Sequence, residues 1–372
     1  MSLRILIACG GTGGHLFPGI AVADELGRRG HEVLLLVSQK AIDRTVLAAR
    51  PDLRAEALPA VGWPGLGFRL PAFCFRLVET ATACKKLLRE YKPDVVLGMG
   101  GFTSAVPLWT GRNAGIPTFL HESNAIPGRV TRLLARRVSK VLLGFKEAAD
   151  RLPGAATVVT GTPVRAALRI LPHAEAAAKL GLDPDPARRT IFVTGGSQGA
   201  QGVNRLVTEA LPRWSKFHDV WQFVHLTGEG ERAEVAAAYA RHGFGSHAHV
   251  RAFSSEMAAC YSLADAVIGR SGASSLTELS HYGLASLLIP FPAAADDHQT
   301  ANALIYERAG AAILYRQEEK EKRGTNPQPF AETVRNLLTN TERLGEMKRA
   351  SVALAFPDAA VRVANEVEAC LC

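Results

Sequence analysis

The sequence has no Cys-x-x-Cys pair. Its six cysteines, at positions 9, 74, 84, 260, 370 and 372, follow no regular spacing. Zinc sites and disulfide frameworks depend on such spacing, so we expect buried, reduced thiols in a cytosolic protein and no metal ion.

A long apolar run without helix breakers is also missing. The longest uncharged stretch, Val95–Gly111, contains four glycines and a proline. A membrane-spanning helix rarely carries so many breakers, so this stretch predicts a strand followed by a loop. Because residues 1–4 lead directly into the first apolar strand, we expect neither a signal peptide nor an integral membrane segment.

Neither sign of charge is strongly in excess. Lysine and arginine number 43 against 35 acidic residues, for a formal net charge of +8. That balance favours anionic partners, of which nucleic acid, acidic lipid headgroups and phosphorylated substrates all qualify, and solubility alone explains it equally. At 372 residues, the chain exceeds the size at which one core usually stops growing, so we expect two domains.

A glycine-rich turn follows the first predicted strand, Arg4–Cys9. The turn reads GGTGGH over residues 10–15 and precedes a helix expected to begin near Phe17. Backbone amides uncovered at a helix N-terminus favour an anion, and glycine allows its close approach. The spacing is not G-x-G-x-x-G, which argues against a nicotinamide cofactor. The alternative interpretation is a tight strand–helix turn in which His15 merely caps the helix.

The same arrangement recurs about 185 residues later, after a change of composition at residues 161–165. There the strand Thr190–Thr194 precedes GGSQGA at residues 195–200 and another helix. Short β-rich runs alternate with helical patterns in both halves, which is typical of parallel sheets flanked by helices. The sequence therefore predicts an α/β protein with two doubly wound, Rossmann-like domains that face each other across a cleft.

Polar residues cluster where other predicted strands end. In the first half these are residues 98–104 and HESN at 121–124, and in the second half RSGASSLTE at 270–278 and the segment 296–302. Carboxyl ends of parallel strands form the ligand-binding edge of such sheets. Singly, each cluster is also explained by helix caps or a solvated loop; together they predict a lined cleft.

Aromatic and basic residues interleave between Trp63 and Arg89. Such a mixture suits a surface that inserts apolar groups into lipid while basic groups meet anionic headgroups. An amphipathic helix that packs on the sheet and exposes its charged face explains the pattern equally well.

Seven ordered motifs resemble those of the MurG family of bacterial glycosyltransferases, over essentially the whole chain. They are GGTGGH at 10–15, GMGGF at 98–102, HESN at 121–124, GTPVR at 161–165, GGSQGA at 195–200, RSGASSLTE at 270–278 and DHQTANA at 297–303.

The resemblance implies a fold, a reaction and partners. The fold is GT-B, with an acceptor and membrane-docking domain at 1–162, a UDP-sugar domain at 163–350, and a final helix at 351–372 that returns to the first domain. The reaction is inverting transfer of N-acetylglucosamine from UDP-N-acetylglucosamine to lipid I, forming lipid II for peptidoglycan, without cofactor or metal. The implied setting is the cytoplasmic face of the bacterial membrane, bound peripherally to its anionic surface, with cell-wall and division proteins as partners and no nucleic acid.

The resemblance also assigns donor-side and cleft residues. Ser197 and Arg270–Ala273 (Arg270, Ser271, Gly272, Ala273) lie near the diphosphate, Glu278 near the ribose, and the Ser254 backbone near uracil. The sugar-recognising segment supplies His298, Gln299 and Asn302. Further donor-side or cleft positions are Thr12, Gly13, Gly14, Asn124 and Arg165. Two departures from the family pattern concern the acceptor side or the hinge: Thr162 in place of the expected asparagine, and residues 103–107, which are poorer in glycine.

Displacement at an anomeric carbon needs a base for the acceptor hydroxyl and positive or N–H-rich groups for the leaving diphosphate. We expect His15 to be the base, with Glu122 as second candidate, and the first glycine turn to hold the pyrophosphate of the acceptor. Three alternatives remain open: a GT-B UDP-N-acetylglucosamine 2-epimerase, a nicotinamide oxidoreductase, and a non-catalytic anion-binding or membrane-adaptor protein.

Overall fold

A computed structural model describes residues 2–59, 70–196, 199–317 and 328–371. The chain divides into two compact units, Met1–Arg165 with Phe356–Cys372, and Ala166–Ala355. The boundaries at 162 and 350 stay a prediction about domain roles. No helix among these residues is long and apolar enough to cross a membrane.

Each unit is built on one parallel sheet. Seven strands form the first in the order β3-β2-β1-β4-β5-β6-β7, and six form the second in the order β10-β9-β8-β11-β12-β13. The strands are β1 Arg4–Ala8, β2 Glu32–Ser38, β3 Ala55–Leu58, β4 Val95–Gly98, β5 Thr118–Glu122, β6 Lys140–Leu143, β7 Thr157–Val159, β8 Arg189–Thr194, β9 Trp221–Leu226, β10 Ala248–Arg251, β11 Ala266–Gly269, β12 Ala285–Leu288 and β13 Ala312–Leu314.

Helices cover both faces of the sheets, which explains why the central strands are continuous apolar runs rather than alternating ones. The helices are α1 Gly13–Arg28, α2 Ala41–Ala48, α3 Leu70–Tyr91, α4 Gly101–Asn113, α5 Arg129–Leu134, α6 His173–Leu180, α7 Gln201–Trp214, α8 Arg232–Arg241, α9 Met257–Leu263, α10 Ala273–Tyr282, α11 His298–Arg308, α12 Phe330–Thr339, α13 Thr341–Ala353 and α14 Ala359–Glu368.

The strand order creates a topological switch point in each sheet. In the first unit, successive crossovers leave β1 in opposite directions, toward β2 on one side and β4 on the other; β8, β9 and β11 repeat this in the second unit. Loops at the carboxyl ends of strands that flank a switch point diverge and leave a crevice. Each glycine turn follows the strand at the switch point of its sheet, β1 or β8, and therefore lies at one of these crevices.

The last helix, α14, completes the core of the first unit. Val363 and Val367 are fully buried in the cluster that contains Ile5 and Leu26. Glu368 accepts a hydrogen bond from Arg29 and lies 2.7 Å from the imidazole of His31. These two partners, with the histidine contributing most, hold the pKa of Glu368 below its usual value.

Three details differ from the sequence-based expectations. Helix α1 begins at Gly13 rather than near Phe17, because Gly13 and Gly14 adopt helical backbone and only Gly10–Gly11 form the turn. The strands β3 and β13 were not expected; they are edge strands of four and three residues, too short to show a pattern. The loop expected after the strand within Val95–Gly111 is wrong, because the residues from Gly101 onward form α4. Of the aromatic and basic region, Trp63–Phe68 lies outside the described residues, so that part stays a prediction, and the basic residues that follow belong to α3.

Candidate functional site

The Gly10–Gly11 turn lies in a space that admits only glycine. A Cβ on Gly10 would stand 2.2 Å from the backbone nitrogen of Ser38, and Gly11 has a φ of +104°. Thr103 donates a hydrogen bond of 2.6 Å to the Gly10 carbonyl, and Ser104 donates one of 2.9 Å to the Ala8 carbonyl. Residues 103–107, which depart from the family pattern, thus begin with two hydroxyl side chains that hydrogen-bond to this turn and to the strand end before it.

His15 lies in the first turn of α1, against the glycine-containing residues 98–102 (the second glycine loop). Gly100 and Gly101 both have positive φ, and a Cβ on Gly101 would stand 2.9 Å from two atoms of the imidazole. The Thr12 hydroxyl is 3.1 Å from Nδ1 of the same ring. This places the imidazole in the crevice between β1 and β4, with one nitrogen oriented by Thr12.

Burial lowers the pKa of His15, and Lys40 lowers it further, while the charges of Glu122 and Asp43 raise it. The imidazole is therefore neutral at neutral pH and able to accept a proton. A histidine that merely capped a helix in solvent would show no such shift.

Glu122, the second candidate base, is committed to its own loop. Its Oε1 accepts a hydrogen bond from the Asn124 amide at 2.9 Å, and its Oε2 accepts from Gly128 N at 2.8 Å and from the Thr131 hydroxyl at 2.6 Å. The carboxylate is buried. It shapes the HESN loop, and its geometry favours His15 as the base.

Arg165 and Thr162 occupy different environments. The guanidinium of Arg165 stacks on Phe17 of α1, with Cζ 3.9 Å from the ring centroid. Thr162 is buried, and a Cβ on Gly144 would meet its hydroxyl at 2.4 Å. Thr162, which departs from the family pattern, is therefore a packed interior residue and not part of an open surface.

In the second unit, the crevice between β8 and β11 receives two loops. Gly199 packs so closely on the Thr227 carbonyl that a Cβ would stand 2.2 Å from that oxygen. Gly272 stands at the N-cap of α10, with no side chain to cover the amides of the first turn. The helix N-terminus is thus arranged to accept an anion. Ser197 lies outside the described residues.

Arg270 is fixed beside this helix start. Its Nη1 donates to the carbonyls of Ile289 and Pro290 at 3.0 and 2.9 Å, and its Nη2 donates to Gln317. Its guanidinium also lies 5.4 Å from the Phe291 ring centroid. Burial lowers the pKa of Arg270 only from a very high ordinary value, so the side chain remains a fixed positive charge.

Ser271 and Asn302 join the two neighbouring loops. Ser271 donates to the Gln299 carbonyl at 2.8 Å, and Asn302 donates to the Ser271 carbonyl at 3.2 Å. Both side chains are fully buried, as Ala273 nearly is. The side chain of Gln299 accepts from Phe291 N at 2.9 Å, and His298 contacts the Ala295 carbonyl.

Glu278 projects from α10 and is oriented by Tyr261, whose hydroxyl donates to Oε2 at 2.7 Å. Tyr261 is buried and stacks on Tyr282 at 5.1 Å. Ser254 follows the exposed Phe253, and its hydroxyl accepts from Glu256 N at 3.0 Å.

Sequence analysis missed several of the positioning groups. Asn204 donates to the Thr227 carbonyl and lies 3.0 Å from His225, whose pKa burial lowers to about 3. Asp296 and Asp297 both have a φ of +53°, a strained backbone next to His298. Nothing in the sequence marks Asn204, because an asparagine within a helix such as α7 is ordinary. Asp296 and Asp297 belong to the segment 296–302 that the sequence singles out, but their backbone conformation could not be read from it. Within the described residues, no group of three or more His, Cys, Asp or Glu side chains is arranged to hold a metal ion.

The two units match the two domains of one enzyme family. Residues 5–143 match the glycosyltransferase family 28 N-terminal domain, and residues 190–363 match the corresponding C-terminal domain. Two parallel-sheet units, each with a glycine turn at its switch point, define a glycosyltransferase with the GT-B fold.

Relatives with the same full-length arrangement are more specific. The UDP-N-acetylglucosamine–N-acetylmuramyl-(pentapeptide) pyrophosphoryl-undecaprenol N-acetylglucosamine transferase of Myxococcus xanthus is 37% identical over 98% of this chain and 92% of its own length. The enzyme of that name from Geobacter sulfurreducens is 36% identical over 99% of this chain and 98% of its own. The chain belongs to the MurG family.

Solved structures agree. The crystal structure of Acinetobacter baumannii MurG is 26% identical, with a TM-score of 0.75 over 99% of both chains. Staphylococcus aureus MnaA, solved with UDP, has a TM-score of 0.70 at 15% identity over 100% of this chain and 97% of its own, and shares the fold alone. The predicted fold class, enzyme class and family are thus confirmed.

Proposed function

We propose that this chain transfers N-acetylglucosamine from UDP-N-acetylglucosamine to the 4-hydroxyl of the muramyl sugar of lipid I, which yields lipid II. The reaction is a step of peptidoglycan synthesis and thereby serves cell-wall growth, cell shape and division. Membership of the MurG family supports both substrates. The observation that carries the chemistry is the position of the His15 imidazole between Thr12 and the second glycine loop, where burial lowers its pKa.

His15 acts as the general base in this proposal. As the acceptor oxygen forms its bond to the anomeric carbon, the bond from that carbon to the diphosphate breaks and UDP leaves. The hydroxyl proton passes to His15, through the ring nitrogen that does not face Thr12. Attack from the face opposite the leaving group inverts the anomeric centre.

The second unit binds the donor in this proposal. The amides at the start of α10, the 195–200 loop with Ser197, and the charge of Arg270 stabilise the leaving diphosphate. Glu278 accepts from the ribose hydroxyls, the Ser254 backbone meets the base, and Gln299 and His298 read the sugar. Since Ser271 and Asn302 are buried and bonded within the protein, we assign them the positioning of these loops.

In the first unit we assign Thr12, Gly13, Gly14, Asn124 and Arg165 to the acceptor side of the reaction or to contacts with the donor. The stacking of Arg165 on Phe17 supports this, because it holds a positive charge beside α1. Thr12, the N-cap of α1, makes no side-chain cap hydrogen bond, and this supports a role for Gly13 in binding a phosphate.

We also propose that the first unit docks peripherally on the anionic, cytoplasmic face of the membrane. Phe75 and Val78 of α3 are 74% and 65% exposed, although the other end of that helix packs on the sheet. Trp109 of α4 and Leu133 of α5 are exposed as well, and Arg137 lies over the Trp109 ring. Because α4 packs on both α3 and α5, these groups extend one apolar and basic surface.

The deciding experiment is radiolabelled sugar transfer from UDP-N-acetylglucosamine to a short-chain lipid I analogue in the presence of EDTA. We expect a lipid-linked disaccharide, which would establish donor, acceptor class and metal independence together. Consumption of the UDP-sugar without lipid product would instead favour a 2-epimerase or a hydrolase. The fold neighbours include a putative Listeria monocytogenes UDP-N-acetylglucosamine 2-epimerase at 16% identity, with a TM-score of 0.69 over 100% of this chain and 97% of its own, so the assay includes that outcome.

A further inference from the structure

A buried carboxylate lies behind the first glycine turn and belongs to none of the sequence motifs. Asp43 is fully buried at the start of α2, between the ends of β1 and β2. Its Oδ2 accepts three hydrogen bonds, from Gly11 N at 2.9 Å and from the backbone nitrogen and hydroxyl of Ser38 at 2.8 and 2.6 Å. The carboxylate therefore joins the glycine turn to the neighbouring strand.

Lys40 holds the other side of the same peptide. Its ammonium donates to the Gly11 carbonyl at 2.8 Å, while Thr103 donates to the Gly10 carbonyl at 2.6 Å. Side chains thus occupy the Gly11 amide and the carbonyls of both glycines. An anion bound here would have to use amides further along, at the start of α1, because Asp43 already occupies the position of an anion at Gly11.

The burial of the Asp43 carboxylate is energetically unfavourable unless other interactions compensate for the lost hydration. Its Oδ1 is buried without a hydrogen-bond partner among the described residues. A buried ionised carboxylate loses its hydration, and an oxygen left unpaired does not regain it. A neutral side chain could hold the turn at lower cost, so the retained charge points to an electrostatic role.

The turn that Asp43 holds leads directly to His15. Thr12 follows Gly11, and its hydroxyl lies 3.1 Å from Nδ1 of His15. We propose that Asp43 is a positioning residue of the site: with Lys40, its carboxylate clamps the Gly10–Gly11 turn and thereby sets the orientation of Thr12 and the His15 imidazole. The inference rests on the proposed role of His15 as base.

The charges around His15 give this proposal a readout that mere loss of packing would not produce. The charged groups that face the ring are Asp43 of α2, Lys40 before α2, and Glu122 at the end of β5, with titratable His121 beside Glu122. Asp43 raises the pKa of His15 and Lys40 lowers it. Removal of the Asp43 charge should therefore lower the pKa of His15, and removal of the Lys40 charge should raise it.

The test uses Asp43→Asn, Lys40→Gln and, as matched control, Arg44→Gln in the full-length protein. Arg44 is an exposed neighbour of Asp43 on α2. For Asp43→Asn we expect kcat to fall about 10-fold or more, with KM for UDP-N-acetylglucosamine changed less than about 2-fold. NMR titration of histidine-labelled protein, with His15 assigned by comparison with His15→Gln, should give a lower pKa in Asp43→Asn and a higher one in Lys40→Gln.

A folded Asp43→Asn variant with the parent kcat and the parent His15 titration would overturn the proposal. If that variant does not fold, Lys40→Gln decides, since Lys40 is exposed; an unchanged His15 pKa in it would also overturn the proposal. The NMR titration of His15 does not depend on catalytic turnover, so it can be interpreted whether or not the proposed reaction takes place. If His15→Gln still transferred sugar at the parent rate while the opposite pKa shifts were seen, the base assignment would fail and the electrostatic influence of Asp43 on His15 would stand.

Discussion

The imidazole of His15 lies directly on the backbone of Gly101. A Cβ on Gly101 would stand 2.9 Å from both Cε1 and Nδ1, and the glycine has a φ of +70°. The helix start after β1 and the helix start after β4 are therefore built to fit each other, and the fit exists only because one of them carries no side chain.

Gly101→Ala should displace the His15 ring and lower kcat. Displacement of a reacting group by about 1 Å can reduce turnover by 10- to 100-fold, and we expect a loss in that range. Steady-state transfer assays measure it, with the thermal shift caused by UDP as a check that donor binding persists. Gly115→Ala is the matched control: Gly115 has a φ of +77°, but nothing lies within 4 Å of its Cβ position. Equal losses in both variants would mean that backbone strain, and not the contact to His15, matters.

The pH dependence of kcat/KM should show an acidic limb that belongs to His15. Burial lowers the pKa of His15 from its ordinary value of 6.5, so the active, neutral form persists below that pH and activity falls only in more acidic solution. We expect His15→Ala to lower kcat about 100-fold or more and to abolish this limb. A variant that chiefly weakened UDP-sugar binding, with kcat and the limb preserved, would contradict the assignment.

Tyr261→Phe should weaken donor binding without slowing the chemical step. The lost hydroxyl donates to Glu278 at 2.7 Å, so the variant removes one hydrogen bond that orients the carboxylate proposed to bind the ribose. We expect KM for UDP-N-acetylglucosamine to rise several-fold, by about the 1 kcal/mol that one hydrogen bond contributes, with kcat nearly unchanged. Tyr282→Phe serves as control, because its hydroxyl donates to the Arg169 carbonyl instead. Equal KM values in both variants would exclude this role for Tyr261.

Exposed apolar groups of the first unit should govern membrane attachment. We expect the double variant Phe75→Ser, Val78→Ser to sediment less with vesicles that contain anionic lipid, by about 10-fold in partitioning, since both side chains are mostly exposed. Val352 is an apolar residue of the second unit that is also mostly exposed, and Val352→Ser should partition like the parent. Unchanged sedimentation of the double variant, or an equal decrease for Val352→Ser, would place the docking surface elsewhere.

The sequence contains enough information for the fold because its signals are local. Buried strands such as Val95–Gly98 are apolar runs bounded by glycine, and parallel pairing at their ends follows from the alternation with helices. The switch-point positions of the two glycine turns also follow from that alternation. Edge strands such as Ala55–Leu58 escape prediction because four residues with an exposed glutamate carry no pattern.

The site is less predictable, because its side chains are oriented by residues distant in sequence. Asp43 in the first turn of a helix is typical of a solvated cap, and only the fold brings its carboxylate to Gly11. Tyr261 and Glu278 belong to different helices. Conversely, Glu122 is a candidate base in the sequence, yet its carboxylate oxygens accept hydrogen bonds from the loop and helix that follow it. The individual roles of the site residues stay predictions until the variants are measured.

The return of α14 to the first unit has a consequence for how the protein emerges from the ribosome. Val363 and Val367 fill a core whose buried members outside α14 lie between residues 5 and 142, with all of the second unit in between along the chain. The first unit can assemble most of its sheet early, but one face stays open until α14 has been synthesised. The second unit is contiguous and can close before then. The first unit therefore begins to be synthesised before the second unit but completes its fold after it. A nascent chain halted shortly before residue 359 would expose an apolar face that chaperones bind.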